Sequence, residues 1–282
     1  MIKIYYVLTK PGIVLGNIIT TAAGFALASR GHIDYWLFLA TLIGLSFVIA
    51  SACILNNYID RVIDEKMERT KNRAFAKGLI SVRNAMLFAI ALVMIGIFIL
   101  AFYTNLLTAF IAFAGFFFYV VMYSFWKYRS VYGTLIGSLA GAVPPVVGYC
   151  AVSNSFDGGA FLLFVILVLW QMPHFFAIAI YRFDDYLAAS IPVLPVKRGM
   201  YVTKVQMLLY TIAYIIATLM LTVFGYTGYA YLSVAALLGL TWLYFSIKGF
   251  NCSNDTLWAR NMFRVSLVIV TALCFMISVD VV

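Results

Sequence analysis

The chain has 282 residues, of which 65% are hydrophobic and 10% charged, with a formal net charge of +9 and a mean hydropathy of +1.03. Soluble domains carry roughly 25% charged residues, so a soluble fold is excluded and the bilayer is the expected solvent. The surplus of Lys and Arg builds no face for nucleic acid, because it sits between long apolar runs, where it reports topology.

A spanning helix needs about 20 mostly apolar residues. On that measure the chain reads as about nine spans, near 11–29, 35–58, 84–102, 105–125, 132–152, 160–181, 203–224, 228–247 and 262–279. The expected fold is all-α: a multi-pass transmembrane bundle forming a single domain over 1–282. The first run ends in Ala26-Leu27-Ala28, which resembles a leader cleavage site, yet it is near spanning length and reads more simply as the first span. Every Lys and Arg except Arg30 falls near 1–10, 59–83, 126–131, 182–204 or 248–264. The positive-inside rule therefore predicts a cytoplasmic N-terminus and, after an odd number of spans, a C-terminus on the far side of the membrane. Cys53, Cys150, Cys252 and Cys274 are far apart and suggest neither a disulfide framework nor a zinc site.

The second span runs into Asn56, Asp60 and Asp64, each four residues from the next. On a helix they share one stripe, with side chains roughly 5–6 Å apart. Like charges held together at a membrane boundary call for a cation, and hard oxygen ligands beside substrate phosphates favour Mg²⁺. Arg69, Lys71 and Arg73 follow, positioned to take the remaining oxygens of a diphosphate. A solvated loop whose charges only set topology explains the bases, but not carboxylates in register with an Asn inside the apolar run. The sixth span ends similarly. Tyr181 and Arg182 precede Asp184 and Asp185, then Pro192 and Pro195 are expected to break the helix before Lys197 and Arg198. The two loops form a faint repeat, each reaching a basic residue followed by glycine (Lys77-Gly78 and Lys197-Arg198-Gly199), and would close over one site. Asp184 and Asp185 supply the expected second metal locus.

Other residues read more plainly. His174 lies in the sixth span, about 16 Å up the helix from Asp185, too far to join the metal site; it is either a packing histidine or a contact for an acceptor. Gly133, Gly137 and Gly141 are spaced for close helix packing. Tyr58, Tyr123 and Tyr181 are aromatics near the expected site with π faces suited to a cation.

The spacing Asn56-x-x-x-Asp60-x-x-x-Asp64 resembles the first signature of the UbiA-type intramembrane prenyltransferases. The second signature of that family is usually D-x-x-x-D; here Tyr181 stands where the first carboxylate would be, and Asp185 matches the second. That departure, with Lys10-Pro11-Gly12, Trp170-Gln171-Met172-Pro173-His174 and Ile191-Pro192-Val193-Leu194-Pro195, resembles the heme-farnesylating branch of the family. The resemblance covers nearly the whole chain. It implies catalytic Asp60, Asp64 and Asp185 and a metal set of Asn56, Asp60, Asp64, Asp184 and Asp185. The implied diphosphate contacts are Asn56, Arg69, Lys71, Arg73, Lys127, Arg129, Lys197 and Arg198, and the acceptor side holds His174 and Tyr181. The branch's Lys-Arg pair is interrupted here as Lys127-Tyr128-Arg129, leaving open which base meets the diphosphate. Farnesyl diphosphate, Mg²⁺ and heme B as substrate follow, with a heme-using oxidase assembly or a heme A synthase as neighbour. Two rivals stand beside this reading. One is a UbiA-type enzyme with an aromatic acceptor, a hydroxybenzoate or quinone precursor; the other is a secondary transporter, whose charges would sit near the bilayer midplane.

Overall fold

A computed structural model describes residues 2–282. Among them, nine helices are long and apolar enough to cross a membrane, as a multi-pass integral membrane protein requires. A short α1 (Ile2–Leu8) leads into α2 (Pro11–Ser29), α3 (Tyr35–Asp64) and α4 (Val82–Tyr103). The fourth span is composite: α5 (Leu106–Phe117), a π-helical turn (Phe118–Tyr123) and α6 (Ser124–Trp126). The fifth is split into α7 (Gly133–Gly141) and α8 (Val143–Ser153). Then follow α9 (Gly158–Tyr181), the short α10 (Phe183–Ala188), α11 (Leu194–Val223), α12 (Tyr229–Lys248) and α13 (Asp255–Val279).

Helix ends depart from the apolar runs wherever polar chemistry stabilises extra turns. α3 continues past residue 58 to Asp64, because its last carboxylates find partners described below. Pro195, expected to break a helix, instead sits in the first turn of α11, where its missing N–H costs nothing; the irregularity comes at Gly199, φ 81°. α13 begins at Asp255 rather than near 262, because Asn254 caps it, accepting a bond from the Leu257 amide at 2.9 Å. The span expected over 132–152 breaks at Ala142, just before Pro144 and Pro145.

The core centres on α9, buried among α2, α8, α11 and α13, with Leu163, Ile180, Tyr214 and Met262 at or near zero exposure. Small residues decide how closely the helices approach. A methyl at Gly24 of α2 would lie 2.0 Å from the Pro145 carbonyl oxygen of α8. Gly137 does the same for the site: a methyl there would lie 2.9 Å from the Tyr123 ring, so only glycine lets α7 rest on the π-helical turn. Gly133 packs on the Lys127 backbone and Gly141 on Gln171, so the whole glycine stripe is a packing surface.

All charge-rich connections emerge at one end of the bundle. At the opposite end the connections are short, and Asp34 and Asp157 cap α3 and α9.

Candidate functional site

The site forms where α3 leaves the apolar layer. Asn56, Asp60 and Asp64 share its inward stripe; Asn56 is 3% and Asp64 4% exposed. Each has a partner from a different element. Lys127, just after α6, forms an ion pair with Asp60, and the Tyr128 hydroxyl donates to the same carboxylate oxygen at 2.6 Å. Arg73 donates to both oxygens of Asp64 at 2.9 and 2.8 Å. It can reach them because the connection after α3 folds back: Met67 and Phe75 are buried, and the Thr70 hydroxyl donates to the Asp64 carbonyl at 3.0 Å. Lys10, between α1 and α2, donates to Asn56 Oδ1 at 3.0 Å.

The electrostatics follow from this crowding. Burial lowers Lys10 to about 8, with Arg73 and Lys127 adding repulsion while Asp60 opposes it. Burial also lowers Lys127, against the pull of Asp60, and raises the Tyr128 phenol, reinforced by Asp60. At the second connection Asp185 lies 3.8 Å from Arg182. Burial raises the Tyr186 phenol while the Arg69 guanidinium nearby lowers it, so the first connection reaches the second.

The π-helical turn presents Tyr119 and Tyr123 stacked 5.6 Å apart. The Tyr119 hydroxyl donates to Asn56 Oδ1 at 3.4 Å, and Lys127 lies 5.1 Å from the Tyr123 ring. A pair of electron-rich rings thus stands beside the carboxylate stripe, where it can stabilise a carbocation.

The structure sorts the residues picked out by sequence. Asn56, Asp60, Asp64, Arg73 and Lys127 come together, and Arg69 reaches from the first connection to Tyr186, next to Asp185 on the second. Of the interrupted basic pair, Lys127 meets Asp60, whereas the Arg129 guanidinium stacks 3.7 Å over Phe125. Lys71 pairs with Glu68 on the surface at 2.6 Å. Asp184 is exposed, unlike its neighbour Asp185. Lys197 and Arg198 are exposed and form no ion pair among the described residues. Arg198 lines a cleft with Leu135, Met172 and Phe176; Leu135 is two residues from Gly137 and so projects from the opposite side of α7 to Tyr123. His174 is buried and stacks on Trp170 at 4.6 Å, with Nδ1 2.7 Å from the Ser266 hydroxyl of α13. That hydroxyl donates to the Phe263 carbonyl, so it accepts from Nδ1–H of His174. The Tyr181 ring has the Arg182 and Arg260 guanidiniums 5.2 and 5.9 Å from its centre.

Sequence reasoning missed Tyr119 and Tyr128, and gave no role to Lys10. A lysine before Pro11 at the mouth of the first span was the available signal for Lys10; nothing in the sequence marks a π-helical register. Among the described residues no three His, Cys, Asp or Glu side chains converge on one point. A metal here would be completed by oxygens of a bound diphosphate.

A nine-span bundle with a carboxylate stripe countered by buried bases is the setting in which comparison with known proteins becomes informative. Residues 17–268 match the UbiA prenyltransferase family, and the chain belongs to it. Among its relatives is the protoheme IX farnesyltransferase of Protochlamydia amoebophila (strain UWE25), 55% identical over 282 residues and covering 100% of both chains. The protein of that name from Serratia proteamaculans (strain 568) is 55% identical over 281 residues, covering 99% of this chain and 95% of the relative. In fold the chain is similar to a digeranylgeranylglyceryl phosphate synthase structure, with TM-score 0.82, 18% identity and coverage of 99% and 98%. It also resembles a UbiA homolog from Archaeoglobus fulgidus bound to GPP and Mg²⁺, with TM-score 0.72, 15% identity and coverage of 98% and 99%.

Proposed function

We propose that this enzyme transfers the farnesyl group of farnesyl diphosphate to a vinyl group of protoheme IX (heme B), giving the hydroxyethylfarnesyl product heme O. The observation that carries the donor half is the carboxylate stripe of α3 with a base on each member. The acceptor half rests on full-length relatives named for protoheme. The C–O bond of the allylic diphosphate breaks with its electron pair leaving on the diphosphate; the vinyl group attacks the farnesyl cation; water captures the resulting cation and loses a proton.

Asp60, Asp64 and Asp185 are hard oxygen donors that suit magnesium and would hold it together with the diphosphate. When bound, the metal supplies charge neutralisation of the leaving group. The chain's own residues do the rest. Arg73 and Lys127 move from carboxylate to diphosphate oxygens, Arg69 closes from the first connection, and the Tyr119–Tyr123 stack faces the developing cation. No nucleophile is needed, because leaving-group stabilisation drives the step. His174 lies on the acceptor side. His174→Ala is expected to weaken use of heme more than binding of farnesyl diphosphate, and an equal loss for both would return it to packing.

The chain lies in the bacterial cytoplasmic membrane with its N-terminus and basic connections in the cytoplasm. Cysteines placed at Lys71 and Ser155 should react with an impermeant reagent from opposite sides. For the reaction itself, membranes given protoheme, farnesyl diphosphate and Mg²⁺ should form a heme heavier by one farnesyl unit plus water, read by mass spectrometry. Prenylation of 4-hydroxybenzoate with heme unchanged would leave the family intact and overturn the acceptor.

A further inference from the structure

Two arginines gather round one ring at the charge-rich end of α9 and α13. The Arg182 and Arg260 guanidiniums lie 5.2 and 5.9 Å from the centre of Tyr181, within cation–π range. Tyr181 meets Phe263 edge-on at 5.7 Å, and Phe263 lies 4.9 Å from His174. The two charges therefore top the aromatic group on the acceptor side. The early start of α13 at Asp255 puts Arg260 on the helix, three residues before Phe263, instead of in the connection that the apolar run predicts.

Like charges repel unless something answers them, and here little does. Arg260 is exposed and forms no ion pair among the described residues. Arg182 meets Asp185 only at 3.8 Å, too long for a hydrogen bond. Arg182 Nε is buried with no hydrogen-bond partner, and a buried N–H of that kind calls for an acceptor. Tyr181 explains how the pair can persist unneutralised: a π face attracts each cation without cancelling its charge, whereas a carboxylate at this position, as in the usual second signature, would compete for both. Arg264, four residues further along α13, is the contrast. It shares an outward stripe with the exposed Leu267 and Val268 and has the surroundings of an arginine that reaches back to lipid phosphates.

We propose that Arg260 and Arg182 bind the two propionate carboxylates of the porphyrin acceptor, Arg182 through Nε and one terminal nitrogen, Arg260 through its outer fork. A guanidinium matches a carboxylate with two parallel hydrogen bonds, so two guanidiniums suit a diacid. This rests on the heme reading above and adds a carboxylate subsite to it. Protoheme carries its propionates and its vinyl groups on opposite edges. Anchoring the acid edge at α9 and α13 turns the vinyl edge toward the α3 stripe, where the allylic diphosphate is held. The two arginines thus select which edge of a nearly symmetrical macrocycle reacts.

The test removes the carboxylates from the ligand as well as the cations from the protein. Full-length protein in phosphatidylcholine nanodiscs is titrated with ferric protoheme and with protoheme dimethyl ester, which keeps macrocycle, iron and vinyl groups, and binding is read from the Soret absorbance. The unaltered protein should bind protoheme about tenfold or more tighter than the diester, as expected for charge-assisted contacts. Arg260→Gln should lose about tenfold for protoheme but stay within about twofold for the diester. Arg182→Gln should act in the same direction. Arg260→Lys should keep part of the preference, since it retains the charge without the fork. Unfolding temperatures identify a variant that fails to fold, and if Arg260→Gln does so, Arg260→Lys and the two ligands on the unaltered protein decide the matter. Equal affinity of the unaltered protein for both porphyrins, or a folded Arg260→Gln that keeps the preference, overturns the proposal. So does an Arg260→Gln that weakens inorganic pyrophosphate instead of protoheme, or an equal loss of protoheme in Arg264→Gln, which would mark a general surface charge. An unaltered protein that binds neither porphyrin and prenylates 4-hydroxybenzoate would instead sink the heme reading beneath it.

Discussion

The two ends of the bundle use the same residue type for opposite purposes. At the end with short connections, Asp34 accepts from the Trp36 and Leu37 amides at 2.9 and 3.0 Å. Asp157 accepts from Gly159 and from the Tyr149 hydroxyl, and Asp280 from the Tyr231 amide at 2.6 Å. These carboxylates answer backbone N–H groups that the fold itself leaves open, and no ligand can replace them without undoing a helix end. At the other end, Asp60 and Asp64 are met by Lys127, Tyr128 and Arg73, all side chains and all from other elements. Side-chain partners can rotate away and find another anion. A carboxylate bonded to backbone closes a structure, whereas one bonded to movable cations holds a place for something else.

The largest effect that would break this contrast is at α3. Asp60→Asn or Asp64→Asn should lower turnover by ~10³ or more, the range seen when one charge-stabilising group is removed from a reacting centre. Membrane insertion should be unchanged, since span length and hydropathy are kept. Near-normal turnover at limiting Mg²⁺ would show that these carboxylates do not hold the metal. Tyr128→Phe removes one hydrogen bond to Asp60 and should reduce kcat/KM by about tenfold, the equivalent of ~1.4 kcal/mol; steady-state kinetics decide it. At the opposite end, Asp157→Ala should leave kinetics alone and cost about 1 kcal/mol through the lost cap, seen as a fall of roughly 2–4 °C in unfolding temperature. A kinetic defect there, with stability intact, would erase the distinction between the ends. The smallest effect belongs to Asp184→Asn and Lys71→Gln, exposed neighbours of the site, where activity should stay within about twofold.

Much of this was readable from the chain alone, for physical reasons that differ by feature. The spans followed from apolar length, because a bilayer leaves the backbone no alternative to a helix. The carboxylate stripe followed from four-residue spacing, which a helix turns into adjacency. What the sequence hid depends on contacts between distant elements. Lys127 and Arg129 look equivalent until the turn after α6 sends one to Asp60 and the other onto Phe125. Lys197 and Arg198 look like partners of the second Asp pair, yet α11 starts early at Leu194 and carries Arg198 into a cleft on the other side of α7. Lys10 is a residue of the linker by sequence and of the site by geometry, because two asparagines far along the chain draw it in.

The π-helical turn at Phe118–Tyr123 has a consequence for how this protein can change. Tyr119, Tyr123 and Lys127 are four residues apart, a spacing that keeps them on one side, and the wider turn accommodates an extra residue there without breaking the span. Each residue of an ordinary helix advances the face by about 100°, so a single deletion between Tyr123 and Lys127 would turn Lys127 away from the two tyrosines while keeping every side chain of the set. Substitutions at the outward-facing Phe110 and Phe113 of α5 are absorbed by lipid, but the length of the segment is not free. In this segment the spacing, more than the composition, is what descent has to preserve.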